Sequence, residues 1–179
     1  GSTVSGSLLL ALPLVRLAGA AETAEGSSRI GFFINILENG DVIIGNHQPE
    51  IGQGLRTTLP MLVAEELDIE WERVRIESMQ RGIVKTADGY TWKYGPQGVG
   101  GSTGLTNNWT HMREVGATGR LMLMQAAAQL WNVPLEQCTT RPGQVICEAA
   151  GKSASYGELV RLASALPLPE SSPALKTMD

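Results

Sequence analysis

Glu50-Ile51-Gly52-Gln53-Gly54 runs straight into Leu55-Arg56-Thr57-Thr58-Leu59-Pro60-Met61-Leu62-Val63-Ala64-Glu65-Glu66-Leu67, a tight glycine turn feeding a segment of helical periodicity. Glycines on either side of a glutamine let the main chain approach a bound group closely. A helix that begins just afterwards offers unpaired N–H groups and the positive end of its dipole to an anion. Alone, a Gly-x-Gly before a helix is a weak signal. It gains weight from a second turn of the same kind at Gly100-Gly101-Ser102-Thr103-Gly104. Within the helix, Leu59, Leu62, Val63 and Leu67 recur at helical spacing while Arg56, Glu65 and Glu66 fall on other faces, which predicts an amphipathic helix lying on a sheet. Pro60 is harmless if the helix starts at Thr57 or Thr58 and kinks it if the start is at Gly54. A ligand-facing turn wants the earlier start, so a kink is expected.

Upstream, residues 30–37 are rich in Ile and Phe, Glu38-Asn39-Gly40-Asp41 is a turn cluster, and residues 42–46 are β-branched again, which predicts a β-hairpin. Downstream, residues 74–78 alternate as a third strand. Residues 81–98, with Tyr90, Trp92 and Tyr94, read as a long irregular loop, either functional or a surface loop whose aromatics tuck onto the domain. From about Gly104 to Trp131 the pattern is one long helix, in which Gly116, Ala117 and Gly119 mark close packing against another backbone. Two short strands about Pro142-Gly143 bring Cys138 and Cys147 towards one another, as a cross-strand disulfide or as two buried thiols. Ser155 and Glu158 have the capping-box spacing at the start of a last helix.

The chain has 179 residues, 42% of them hydrophobic, enough for one globular domain with a sizeable core. Its net charge of −4 and the lack of any basic cluster interleaved with aromatics exclude nucleic acid as a partner. Two cysteines and two histidines, His47 and His111, are too few and too scattered for a closed zinc site. Metal chemistry would therefore come with a cofactor.

Three segments follow. Residues 1–27 form an apolar leader or arm: the run Leu8-Leu9-Leu10-Ala11-Leu12-Pro13-Leu14-Val15, followed by Ala18-Gly19-Ala20-Ala21, reads as an export-signal core without its basic front end, and is too short to span a bilayer. The alternatives are a cloning scar at Gly1-Ser2 or an arm packed on a partner. Residues 28–166 form the folded domain, with α+β architecture: a mixed or antiparallel sheet with helices packed on it. Residues 167–179, with Pro167, Pro169 and Pro173, read as a linker to a further part.

Several of these pieces resemble the molybdenum-binding large subunit of the xanthine oxidase and aldehyde oxidase family, especially exported bacterial aldehyde dehydrogenases and isoquinoline oxidoreductases. The matching residues are the turn at 50–54 with Leu59 to Asp68, then Trp71 with Val74-Arg75, then Gly100-Gly101-Ser102, then Ser155-Tyr156-Gly157-Glu158-Leu159. The combination is far more specific than either turn alone and extends from about Gly31 through nearly the whole remaining chain.

The resemblance implies a molybdopterin-binding domain, the cofactor being molybdopterin, often as its cytosine dinucleotide, with molybdenum. It assigns Gln53 an amide contact to the cofactor near the metal. Backbone and hydroxyl contacts to pterin and phosphates fall to Gly52, Gly54, Gly100, Gly101 and Ser102, as a pyrophosphate-bearing ligand would want. The family reaction is oxidative hydroxylation of an electrophilic carbon with a glutamate as base. Electrons leave through a small subunit carrying two [2Fe-2S] clusters and, in exported members, pass to a cytochrome c carrying haem c. The implied partners are thus the rest of the large subunit, the iron–sulfur subunit and a cytochrome c subunit, and the implied location is the periplasm or the periplasmic face of the inner membrane, since the leader resembles a twin-arginine signal without its arginines.

The family's large subunit is several times longer than this chain, and the segments bearing its catalytic glutamate are not here. No catalytic residue and no metal ligand is therefore expected in this chain; Glu50, Glu65 and Glu66 do not stand at that motif. Two other readings are open: a non-catalytic docking or structural module of a larger exported complex, and an enzyme for an ordinary phosphate ligand. Against the latter, the turns lack a P-loop ending and the full dinucleotide glycine pattern.

Overall fold

A computed structural model describes residues 27–177; the apolar stretch at residues 8–15 and the rest of the predicted arm before Ser27 lie outside the described residues. Strands β1 (Ser27–Ile30), β2 (Ile34–Leu37) and β3 (Val42–Asn46) form an antiparallel meander, and β4 (Val74–Ser78) joins it parallel to β3. Parallel neighbours need a crossover, and helix α1 (Leu55–Leu67) supplies it. The expected single strand over residues 30–37 is split. Gly31, at φ +62°, reverses the chain so that Ile30 pairs with Ile34, a backbone state that glycine enters without a Cβ clash. The turn at residues 38–41 forms as expected, closed by the N–H of Leu37 on the carbonyl of Asp41 at 2.8 Å.

Helix α1 takes the earlier of its two possible starts, yet it is not interrupted at Pro60, which lies inside it and is buried. Glu66, expected off the apolar face, is fully buried. Helix α2 (Trp109–Trp131) starts later than expected because residues 103–108 form turns, with the N–H of Asn107 on the carbonyl of Thr103 at 3.0 Å. Helices α1 and α2 pack on one another across Gly116. A Cβ there would overlap the carbonyl oxygen of Val63 and come 2.8 Å from the Cβ of Glu66, so the close backbone approach read from the glycines is real. Gly119 meets side chains instead, Ile34 at 2.8 Å and Leu67 at 3.0 Å. The core lies where these helices meet the sheet: Ile34, Ile36, Val42 and Ile44 from the strands, Leu59, Val63 and Leu67 from α1, and Met112, Met122 and Leu123 from α2.

Between β4 and α2, the stretch expected to be irregular contains a two-stranded hairpin, β5 (Ile83–Thr86) and β6 (Gly89–Trp92). Its Tyr90 is 74% exposed, whereas Tyr94 beyond it packs edge-on against Phe32 and Phe33 with ring centroids 5.7 and 6.1 Å apart. After α2, strands β7 (Thr139–Arg141), β8 (Gln144–Cys147) and β9 (Lys152–Ser155) make a small antiparallel sheet. The register Thr139 to Ile146 sets Cys138 opposite Cys147, and both are buried free thiols rather than a disulfide. Helix α3 (Tyr156–Ala165) opens with the predicted capping box: the Ser155 N–H donates to the Glu158 carboxylate at 2.7 Å, and the Glu158 N–H donates to the Ser155 hydroxyl at 3.3 Å. Gly157 lies so close to the carbonyl of Glu38 that a Cβ would overlap it, which binds α3 to the β2–β3 turn. Beyond α3 the chain has no helix or strand among the described residues, but it runs back over α1 and α2, where Lys176 meets Glu66 and Asp68. Among the described residues no helix is long and apolar enough to cross a membrane.

Candidate functional site

At the first glycine turn, Gly52 and Gly54 have φ of +97° and +84°, and Gly54 is the N-cap of α1 without a side-chain cap. An anion does occupy this helix start, and it is the chain's own. The Glu50 carboxylate accepts the N–H groups of Gly52 at 2.7 Å and Gly54 at 3.1 Å on one oxygen and of Arg56 at 2.9 Å on the other. These bonds, that of Arg56 first and Gly54 next, hold its carboxyl below the usual glutamate value. Gln53 is also bound within the turn: its amide oxygen accepts the N–H of Ile51 at 2.6 Å and its NH2 donates to the carbonyl of Pro49 at 2.8 Å. Ile51 stands at the tip, 74% exposed.

The second turn, at Gly100–Ser102, is a single 3-10 turn with Gly101 at φ +67° and Ser102 at φ +61°. A left-handed serine is uncommon, and such strain collects at ligand-facing loops. The Thr103 hydroxyl closes the turn on the carbonyl of Gly100 at 2.9 Å. Outward, the turns are open: a Cβ placed on Gly52 or Gly100 would meet no atom within 4 Å.

The two turns are stitched together at both ends. Before the first, Gln48 donates to the carbonyl of Pro96 at 2.6 Å and accepts the N–H of Gly98 at 3.1 Å, while Gln97 donates to the carbonyl of His47 at 2.7 Å. Behind the second, Gly104 lies against Leu55, the first residue of α1, so closely that a Cβ would overlap that side chain. Asn108 completes the seam. Its NH2 donates to the carbonyl of Gly104 at 2.7 Å, and its amide oxygen faces the Nε2 of His47 at 3.0 Å and the NH2 of Gln48 at 3.4 Å. Sequence reasoning missed these amides. Their signal was a cluster of polar residues, Asn46-His47-Gln48 and Asn107-Asn108, abutting segments that had to be buried.

His47 is 2% exposed, and burial pushes its pKa down to about 4, against the opposing hydrogen bond to the Asn108 amide oxygen and with the further help of His111. Burial lowers His111 as well. With Nε2 donating to Asn108, the Nδ1 of His47 is the acceptor of the neutral ring and has no partner among the described residues. Both rings stack edge-on against Phe33, with centroids 5.3 and 5.6 Å away. Among the described residues no three His, Cys, Asp or Glu side chains gather as a metal cluster. Of the three glutamates, Glu50 is committed to the turn, Glu66 to Arg113 and Arg120, and Glu65 projects from α1 with Lys176 at 3.8 Å.

Fold and geometry thus define an α+β domain that holds two open-faced glycine turns side by side. The molybdopterin cofactor-binding domain family matches residues 12–177, and the chain belongs to that family. The beta subunit of isoquinoline 1-oxidoreductase from Brevundimonas diminuta is 36% identical over 161 residues, which are 87% of this chain and 20% of that protein. A nicotinate dehydrogenase subunit from Pseudomonas putida is 32% identical over 133 residues, 74% of this chain and 10% of that one. The membrane-bound aldehyde dehydrogenase [pyrroloquinoline-quinone] of Gluconacetobacter polyoxogenes is 26% identical over 136 residues, 76% and 16% respectively. The chain therefore spans a fifth or less of the length of these relatives, and the family resemblance read from the combination of motifs is borne out.

Proposed function

We propose that this domain contributes its two glycine turns to the molybdopterin site of a molybdenum hydroxylase, as one part of a larger cofactor-binding subunit. The observation that carries the reading is the seam itself: Gln48 with Gly98 at one end and Leu55 with Gly104 at the other align the two turns. The turns fit such a ligand unequally. Gly100, Gly101 and Ser102 present open backbone and a hydroxyl to pterin and phosphate oxygens. At the first turn the N–H groups already serve Glu50, so the turn contributes the outer surfaces of Gly52 and Gly54 and the exposed amide of Gln53. That amide reaches a ligand by exchanging its two bonds to Ile51 and Pro49. When bound, the cofactor supplies the two-electron redox centre at which an aldehyde or N-heteroaromatic carbon is hydroxylated; this chain orients it and contributes no base.

The fuller reading has the cofactor as the cytosine dinucleotide, an iron–sulfur subunit and a cytochrome c subunit as partners, and a periplasmic site of action. Two of the relatives are themselves subunits of larger enzymes, which supports an assembly. A docking module without chemistry is the second reading, favoured by the exposed Ile83, Tyr90 and Trp92 of the β5–β6 hairpin. One experiment separates the two. The native complex is purified and assayed for molybdenum and released cytosine nucleotide, with Gln53→Ala alongside. Loss of one hydrogen bond to a charged ligand predicts turnover and molybdenum retention falling by about tenfold or more, with thermal unfolding lowered only by the loss of two exposed hydrogen bonds within the turn. A native complex without molybdenum, or equal loss of folding and activity in the variant, favours the docking module.

A further inference from the structure

We infer that Glu66, Arg113 and Arg120 form a recognition site for an extended peptide backbone, which residues 174–176 of this chain fill. Arg113, Gly116 and Arg120 are spaced three and then four residues apart, along one face of α2. Because Gly116 has no side chain, Glu66 of α1 sits in the space above it, fully buried, with the two arginine side chains only 13% and 18% exposed. Arg113 donates through Nε to Oε1 at 2.8 Å, and Arg120 approaches Oε2 at 3.5 Å.

The cluster is completed by main chain, not by side chains. The N–H of Lys176 donates to both oxygens of Glu66, at 3.0 and 3.2 Å. Arg113 returns a bond to the carbonyl of Lys176 at 2.5 Å, and Arg120 one to the carbonyl of Ala174 at 3.3 Å. A buried carboxylate and two part-buried guanidinium groups favour filled hydrogen-bonding positions, since an unmet charge costs more the further it is withdrawn from water. Three backbone groups within three residues meet that need, and they do so whatever the side chains are. The Lys176 side chain adds a hydrogen bond from Nζ to Asp68 at 3.2 Å, at the C-cap of α1.

The segment expected to be a linker is thus a strap. It ties the chain after α3 to the α1–α2 pair, the two helices whose starts follow the two glycine turns. The path of the chain beyond the folded domain is thereby set in register with the turns, independently of which ligand they hold.

The test uses the full chain and 15N relaxation at Leu175 and Thr177, whose amides remain observable in every variant. Lys176→Pro removes the N–H read by Glu66, and Lys176→Ala removes only the Nζ contacts to Asp68 and Glu65. Order parameters near about 0.85 are expected in the wild type and in Lys176→Ala, falling below about 0.6 in Lys176→Pro. Rigid Leu175 and Thr177 in Lys176→Pro, or mobile ones in the wild type, would overturn the assignment. Loosening by Lys176→Ala as great as by Lys176→Pro would also overturn it, by showing that the side chain, not the backbone, is read.

Discussion

Gly116 of α2 and Glu66 of α1 share one space: a Cβ on the glycine would stand 2.8 Å from the Cβ of the glutamate, on the side where Val63 presents its carbonyl oxygen. Backbone cannot rotate away as a side chain can. Gly116→Ala is therefore expected to destabilise the domain by about 2–3 kcal/mol, even though alanine is worth about 1 kcal/mol over glycine in a helix interior. Gly119→Ala meets the movable ends of Ile34 and Leu67 and should cost less. Urea midpoints of the two variants check the order, and a reversed order refutes it.

The Glu50 carboxylate gathers three N–H groups of its own turn. Acid titration followed by NMR should move the amides of Gly52, Gly54 and Arg56 together, with one midpoint below the ordinary glutamate value of 4.5. The folded value is the depressed one, so this contribution is present above the ordinary value and is lost as pH falls through the folded one. Glu50→Gln should remove the shared transition from all three amides. Three separate midpoints, or a shared transition surviving in the variant, would count against the carboxylate as the organiser of the turn.

His47 titrates in the opposite chemical sense with the same outcome. Its folded pKa of about 4 lies below the ordinary 6.5, so the unfolded chain binds the proton more readily between the two and stability falls as pH is lowered through that window. The loss attributable to the ring amounts to about 3 kcal/mol over the window. Urea unfolding from pH 7 to 4 should show it, and His47→Gln should flatten the slope while leaving the smaller part due to His111. An unchanged slope in the variant would place the acid sensitivity elsewhere.

What could be read directly from residues was whatever is satisfied within a few positions along the chain. The turn at residues 38–41, the start of α1 after Gly54 and the capping box of Ser155 and Glu158 each have their partners no more than four residues apart. The glycines of α2 announced a close approach because their cost in a helix needs a reason. They could not name what approached. The hairpin within residues 81–98 was hidden because its short strands lie exposed and lack the alternation that burial imposes.

By itself, then, the sequence determined an α+β domain with two glycine turns and, through the specific combination of its motifs, its family. Tertiary structure alone decided that Gln48 and Asn108 bind the two turns into one surface and that Glu66 is core. The reason is one of reach. A residue such as Glu66 looks like any solvent-facing glutamate until Arg113, 47 residues away, and the backbone of Lys176, 110 residues away, arrive to satisfy its charge.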